Sequence, residues 1–278
     1  MPAQDELGRT VVRPIAAERS LTLRLDGHEL ATLTTLGTAP AYLALGYLRN
    51  ARIVERIADI ASVDVDWETA SVAVTTRGPT ERGVPRRNAD RGDAQGTATA
   101  PLTHRTIATD EATGSVSAST AADPDSVRLP SHARLTEETL YAVLEHVRRR
   151  ESIYAASGAV HGCALCSNAG DNRGEILGLV EDVGPHNAVD AIAGWMWWEG
   201  LDGSNTLLYT TGHLCADAVM KCAQMGVPFL ISRSDPTQAG WELARGLDMT
   251  MLGRCDGRHY LLFTGQERFL RPQQTAFA

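Results

Sequence analysis

The sequence has 278 residues, with 43% hydrophobic and 22% charged side chains, which is ordinary for a globular protein of one or two domains. Its formal net charge of −8 argues against general nucleic-acid binding. No apolar run approaches the ~18–20 residues that span a bilayer, and Met1 to Arg19 lack the apolar segment of a secretory signal. We therefore expect no membrane association, a cytoplasmic location, and five reduced cysteines.

Residues 1–77 predict an N-terminal β-rich segment. Apolar residues alternate along 20–35 on both sides of the turn Asp26-Gly27, which indicates two strands. Apolar residues at helical spacing then indicate that 39–60 is mostly helical, and two strand patterns follow at 63–67 and 71–75.

Residues 78–126 differ from the rest of the chain in composition. Gly, Ala, Thr, Asp, Arg and Pro dominate, and large apolar side chains are almost absent. Such a stretch cannot bury enough surface to offset its chain entropy. We predict a mobile segment, which is either a tolerated insertion or a working loop.

Residues 127–278 alternate between strand and helix patterns, which predicts an α/β domain. A helix begins at the Thr136 cap. The basic residues 148–150 near its end are expected to complement the helix dipole, with phosphate binding as the alternative. Segments 159–167 and 175–183 flank a Gly/Asn loop and predict a hairpin. Further helices are predicted at 187–198, 216–225 and 237–246, and further strands at 205–210, 228–232, 249–252 and 260–264.

Two groups of polar residues carry candidate chemistry. Cys163 and Cys166 are close enough in sequence to relay a persulfide sulfur, form a disulfide or bind a metal. The block from Glu181 to Asp190 places acids, an imidazole and an amide at a predicted strand-to-helix junction. Backbone N–H groups at such a junction can hold an anion.

Several long segments resemble the formate dehydrogenase accessory sulfurtransferase (FdhD) family. The block from Glu181 to Asp190 resembles its E-D-V-G-R-H-N-A-x-D-K signature. Thr211 to Lys221 resembles S-G-R-x-S-x-E-M-V-x-K, and Ser232 to Thr237 resembles S-x-S-A-P-T. Shorter matches lie at Leu25–Gly27, Leu43–Leu48 and Gly226–Pro228, so the resemblance covers roughly residues 15–77 and 135–265.

The resemblance implies a fold and a function. The fold would be α/β, with a three-layer α/β/α cytidine-deaminase-like domain preceded by the smaller β-rich domain, in a homodimer. The protein would take sulfur from a cysteine desulfurase and pass it to a molybdenum cofactor for a formate dehydrogenase. The cofactor, in its bis-guanine-nucleotide form, would be a bound substrate, held by residues at matching positions: His161, Glu181, Asp182, Gly184, His186, Asn187, Asp190, Gly212, His213, Lys221, Ser232 and Ser234.

The chain departs from the family pattern at its thiols. A loop ahead of the capped helix carries C-G-x-C-G in the family, whereas Thr113 and Val116 occupy the two thiol positions here. Cys163 and Cys166 are then the candidate sulfur carriers. If 159–167 is a strand, their side chains face opposite sides. The alternative is that both cysteines are small buried hydrophobic residues.

The chain also lacks cationic side chains of the family pattern. Pro185 and His213 stand at arginine positions, and Ala191 stands at a lysine position. Each charge-assisted phosphate contact is worth ~1.5–3 kcal/mol, so these changes predict weaker binding of an anionic cofactor.

Several candidate residues have a structural alternative. His186 and Asn187 suit capping and core hydrogen bonding as well as ligand binding. Residues 232–237 suit either a ligand site at the carboxyl end of a strand or a helix cap formed by Ser234 or Asp235. Cys215 and Cys222 lie seven residues apart, near one helical face, and are expected to pack in the core.

Three functions therefore remain open. The first is the sulfurtransferase-type accessory protein, and the second is a cofactor-binding or escort protein without sulfur transfer. The third is a zinc enzyme such as a nucleobase deaminase, suggested by His161-x-Cys163-x-x-Cys166. Zinc deaminases carry a glutamate two residues after the histidine, and this chain does not.

Overall fold

The computed structural model describes residues 1–78 and 124–272, together with the backbone of two short strands between them. The predicted mobile segment 78–126, including Thr113, falls mainly outside the described residues. The helices are α1 (Pro40–Asn50), α2 (Glu137–Arg149), α3 (Ile153–Ser157), α4 (Pro185–Glu199), α5 (Ala216–Gln224) and α6 (Gln238–Gly246). The strands are β1 (Pro2–Gln4), β2 (Thr10–Val12), β3 (Arg19–Leu25), β4 (His28–Thr35), β5 (Ile60–Asp66), β6 (Ser71–Thr76), β7 (Ile107–Asp110), β8 (Ser115–Ala118), β9 (Leu135–Thr136), β10 (His161–Ser167), β11 (Ile176–Asp182), β12 (Thr206–Thr210), β13 (Phe229–Ser232), β14 (Thr250–Asp256), β15 (His259–Thr264) and β16 (Phe269–Leu270).

The N-terminal part is a four-stranded sheet with the order β4-β3-β6-β5. Asp26 and Gly27 both adopt positive φ angles, of 48° and 81°, so the β3–β4 turn has the twist that a two-residue hairpin favours. The predicted hairpin is confirmed. The helical prediction for 39–60 is too long, because α1 ends at Asn50. Arg52, with a φ of 53°, turns the chain so that Val54 is buried in the small core.

The C-terminal part is a six-stranded sheet with the order β11-β10-β12-β13-β14-β15. Strands β12, β13 and β14 run parallel, and the other pairs in this sheet are antiparallel. Helices α4, α5 and α6 share a hydrophobic core with one face of the sheet, and α2 packs on the other face. The mixed α/β class is confirmed. The cytidine-deaminase-like layering and the domain boundaries stay predictions. Among the described residues, no helix is long and apolar enough to cross a membrane.

Helices α1 and α4 cross with their backbones in contact. A Cβ atom on Gly46 would lie 1.7 Å from the carbonyl oxygen of Asp190, and one on Gly194 would lie 1.9 Å from that of Tyr42. Only glycine allows this approach. Arg49 of α1 also connects the two helices, since its guanidinium donates to the Ala193 carbonyl of α4 at 3.1 Å. The small sheet is therefore joined directly to α4, the helix that begins at Pro185 within the block from Glu181 to Asp190.

We predict that Gly46→Ala lowers the free energy of unfolding by about 3 kcal/mol, because the new methyl group forces the two helix backbones apart. Gly246→Ala is the matched control, since its Cβ would meet no atom within 4 Å, and it should change stability by about 1 kcal/mol at most. Urea denaturation of both variants measures the difference. Equal stabilities would contradict the close crossing.

Candidate functional site

The predicted site residues gather where several strands and helices of the larger sheet end. His161 begins β10, Asp182 ends β11, and Ser232 ends β13. The loop after β12 contains Gly212, where a Cβ would lie 3.0 Å from that of Pro185 at the start of α4. The carboxyl ends of parallel strands are a common place for ligands in α/β sheets.

Asp182 holds this edge together through four hydrogen bonds. Its Oδ1 accepts from Gly184 N at 3.0 Å and from Asn187 Nδ2 at 2.9 Å. Its Oδ2 accepts from Thr35 Oγ1 and from Leu36 N. Each carboxylate oxygen already accepts two hydrogen bonds, which nearly exhausts its capacity. Asp182 therefore joins the hairpin of the small sheet to the start of α4, and its predicted cofactor role stays a prediction.

Glu181 and Asn187 also hold neighbouring backbone. The Glu181 carboxylate accepts from the N–H groups of Ile153 and Tyr154, each at 2.7 Å, at the start of α3. Asn187 Nδ2 donates to the Thr34 carbonyl at 2.7 Å. These contacts match the structural alternative for Asn187.

Ser232 and Ser234 fix the loop that follows β12. Ser232 Oγ donates to the Gly212 carbonyl at 2.6 Å, and Ser234 Oγ donates to the Thr211 carbonyl at 3.1 Å. The helix cap predicted at Ser234 or Asp235 is instead Thr237, whose hydroxyl accepts from Gly240 N at 3.1 Å. The cap moves because α6 begins only at Gln238.

A buried cluster of charges lies beneath these loops. Lys221 is 1% exposed, and its Nζ lies 3.0 Å from both Asp190 Oδ2 and Asp217 Oδ2. Asp190 Oδ1 accepts from Asn50 Nδ2 of α1 at 2.7 Å. Asp217 Oδ2 in turn lies 2.8 Å from His186 Nδ1 of α4. Side chains from α1, α4 and α5 thus form one continuous polar chain.

The pKa values of this charge cluster follow from burial and mutual attraction. Burial lowers the pKa of Lys221, but the two carboxylates outweigh it and raise that pKa above its usual value. Burial also raises the pKa of Asp217, yet Lys221 and His186 outweigh burial and bring it down to about 2. For Asp190, burial dominates and the pKa is raised. The raised pKa favours the protonated form of Lys221.

Cys215 contacts the outer end of the charge cluster. Its Sγ lies 4.0 Å from His186 Nε2, and it occupies the position just before α5 begins. The expectation of core packing holds for Cys222, which is fully buried, but is wrong for Cys215, which is only partly buried. The helix starts after Cys215, so this residue does not share the buried face of Cys222.

The pKa values of His186 and Cys215 move in opposite directions. Burial lowers the pKa of His186, but contacts with Asp217 and Cys215 outweigh it and raise that pKa to about 9. Burial raises the pKa of Cys215, but the imidazole and the Ala218 N–H outweigh it and lower that pKa. The pair thus favours a thiolate beside an imidazolium.

Cys163 and Cys166, the predicted sulfur carriers, are both fully buried. Cys163 packs in the core beneath α4 and α5, whereas Cys166 packs beneath α2 on the opposite face of the sheet. Burial raises the pKa of Cys166 to about 12 and that of Cys163 well above its usual value. Their carrier role stays a prediction, and their surroundings match the alternative of small buried hydrophobic residues.

Three histidines lie at the same edge. The Thr211 hydroxyl contacts His161 Nδ1 at 3.4 Å. Burial lowers the pKa of His161, and the nearby His213 and His186 lower it further. His213 is exposed. Within the described ranges, no group of three or more His, Cys, Asp or Glu side chains is arranged to hold a metal ion.

A cleft beside Thr211 is lined by cationic side chains that were not among the predicted cofactor-binding residues. Arg148 and Arg150 from the end of α2 line it together with Arg233 from the loop after β13 and Tyr154. Arg233 lies over the Tyr154 ring at 5.9 Å. The sequence feature that could have indicated this cleft is Arg233, which lies between the two serines of the recognised Ser232–Ser234 segment.

Comparison with known proteins finds relatives that match most of the chain. A sulfur carrier protein FdhD from Shouchella clausii is 26% identical over 257 residues, covering 92% of this chain and 89% of that protein. Another of the same name, from Bordetella parapertussis, is 28% identical over 246 residues and covers 86% of this chain and 81% of its own. The crystal structure of a formate dehydrogenase accessory protein from Desulfotalea psychrophila has a similar fold, with a TM-score of 0.73 at 20% identity and 97% of each chain covered.

The fold and these relatives define a mixed α/β protein whose named relatives are sulfur carrier proteins. The FdhD/NarQ family model matches residues 16–270. The chain belongs to the FdhD/NarQ family, which confirms the resemblance found in the sequence.

We predict that the His186 imidazole titrates near pH 9, because Asp217 stabilises its protonated form. The folded-state pKa exceeds the ordinary value of 6.5, so protonation stabilises the fold. That stabilisation is complete below about pH 6.5 and is lost as the pH rises through about 9. NMR titration measures the midpoint, with His186→Gln assigning the signal. Asp217→Asn should bring the midpoint below its wild-type value, and an unshifted midpoint in that variant would contradict the ion pair.

Proposed function

We propose that this chain is an accessory sulfur carrier for formate dehydrogenase maturation. It would accept sulfur as a persulfide from a cysteine desulfurase and deliver it to a molybdenum cofactor carrying guanine nucleotides. Its membership in a family whose relatives are named sulfur carriers supports this role. For this chain, the proposal rests on the thiol of Cys215, which is only partly buried and lies beside an imidazole. Sulfur transfer requires an accessible thiolate.

The cleft lined by Arg148, Arg150 and Arg233 supports the binding of an anionic cofactor. Guanidinium groups recognise phosphate through paired hydrogen bonds, and Tyr154 offers an aromatic face for a base. These arginines offset in part the cations that Pro185, Ala191 and His213 replace in the family pattern. The proposal places the nucleotide part of the cofactor in this cleft, next to the edge that carries the histidines.

An escort function without sulfur transfer is the second candidate. The burial of Cys163 and Cys166 on opposite faces of the sheet favours it, because neither thiol can reach a donor. Such a protein would bind the cofactor or the dehydrogenase and protect it during assembly. It would also form the predicted homodimer without any thiol chemistry.

A bacterial strain lacking its own accessory protein of this family tests the proposal. We expect that expressing this chain restores formate dehydrogenase activity in extracts, and that a variant with all five cysteines replaced by alanine does not restore it. Circular dichroism of the purified variant controls for folding. Restoration by the cysteine-free variant would favour the escort function. No restoration by the folded wild-type chain would contradict both candidates.

A further inference from the structure

We infer that Cys215 is the thiol that carries sulfur in this protein, with the His186 imidazole as the group that stabilises its thiolate. The inference rests on the proposed function of a sulfur carrier. It differs from the sequence-based assignment, which placed the sulfur on Cys163 or Cys166. It also places the sulfur on a residue where the family pattern S-G-R-x-S has serine.

Accessibility separates the five cysteines of the sequence. Cys163, Cys166, Cys222 and Cys255 are each at most 1% exposed, so a bulky persulfide donor cannot reach their sulfur atoms. Cys215 alone among the five is partly exposed. A sulfur carrier needs a thiol, and Cys215 is the one that a donor can approach in the folded chain.

The positions of His186 and Asp217 favour the thiolate form of Cys215. Cys215 Sγ lies 4.0 Å from His186 Nε2, while His186 Nδ1 lies 2.8 Å from Asp217 Oδ2. A nucleophile, an imidazole and a carboxylate that orients the imidazole form the arrangement of a catalytic triad. The distance between Cys215 Sγ and His186 Nε2 is at the long end of the range for hydrogen bonds to sulfur. Such contacts are often longer in a free enzyme than in the reacting complex.

The scaffold holds these three groups in place. The loop before α5 is fixed because Leu214 N donates to the Asp235 carbonyl at 3.3 Å, and Thr237 N donates to the Leu214 carbonyl at 3.2 Å. Asp217 is anchored in turn by Lys221 at 3.0 Å. Cys215 also stands at the N-terminus of α5, where the helix dipole favours a thiolate. The lowered pKa of Cys215 agrees with this geometry.

The transfer step balances without an added oxidant. The Cys215 thiolate, held beside the His186 imidazolium, attacks the outer sulfur of a donor persulfide, R–S–SH. A new S–S bond forms at Cys215 as the donor S–S bond breaks. The donor leaves as a thiolate and takes the proton from His186, so the products are Cys215–S–SH and R–SH.

Mass spectrometry with site mapping tests the inference on the full chain. The protein is incubated with glutathione persulfide, alkylated, digested, and mapped for a peptide carrying one added sulfur atom. We expect the added sulfur on Cys215, and none in Cys215→Ser. His186→Gln should slow loading at neutral pH by about tenfold or more, because it removes the imidazolium that stabilises the thiolate.

The controls separate this inference from the proposed function. Cys222→Ser, on the same helix, should load like the wild type. Undiminished loading of Cys215→Ser at another cysteine would overturn the inference but leave the sulfur-carrier function standing. No loading of any wild-type cysteine, with the donor shown to load a control thiol, would overturn both.

A measurement without variants guards against misfolding of the substituted chains. Wild-type protein is treated with iodoacetamide under native conditions, and the modified cysteines are mapped over time. We expect Cys215 to react first and the four buried cysteines to react only after unfolding. Modification of Cys163 or Cys166 ahead of Cys215 would overturn the inference.

Discussion

The ammonium group of Lys221, buried between Asp190 and Asp217, is the interaction on which the rest of the structure depends. It is the only lysine in the sequence, and it is 1% exposed. Removing charges from water is costly, and only close opposite charges and hydrogen bonds repay that cost. Lys221 meets both carboxylates at 3.0 Å, so the cluster is stable only when α4 and α5 are correctly packed.

The same charge cluster connects the small sheet to the site. Asn50 reaches Asp190 from α1, which requires the glycine contact between α1 and α4. At the other end, Asp217 holds His186, and His186 faces Cys215. The packing of α1 is therefore linked to Cys215 through a continuous series of polar contacts. Asp182 makes a second connection between the two parts, since it accepts from Thr35 of β4.

The sequence predicted the periodic elements well. The hairpins at β3–β4 and β10–β11 and the cap at Thr136 occur where alternation and cap residues indicated them. It could not predict the charge cluster, because Asn50 and Asp190 are 140 residues apart and meet only through tertiary packing. The spacing of Cys215 and Cys222 misled for a related reason. Spacing alone does not show where a helix begins. A shift of that start by one residue decides whether a thiol is buried in the core or lies at the N-cap position.

The burial of Cys163 and Cys166 also shows that spacing in the sequence does not give the position of a thiol in the fold. The Cys163-x-x-Cys166 spacing is a strong signal for paired thiols, but on a strand it separates them onto two faces. Strand β10 lies between β11 and β12, with α4 and α5 packed on one face and α2 on the other, so both thiols are buried. A lone cysteine before a helix is a weak sequence signal. Its importance becomes visible only when the fold places His186 and Asp217 beside it.

The free energy of unfolding of Lys221→Met tests the central role of the charge cluster most directly. Methionine keeps the volume of the side chain but leaves buried Asp190 without a counter-charge and Asp217 with His186 alone. The variant should lose about 3–5 kcal/mol of stability in urea denaturation. Arg24→Met, which removes a positive charge from an exposed position of β3, should change stability by about 0.5 kcal/mol at most. A loss in Lys221→Met no larger than in this control would contradict the account.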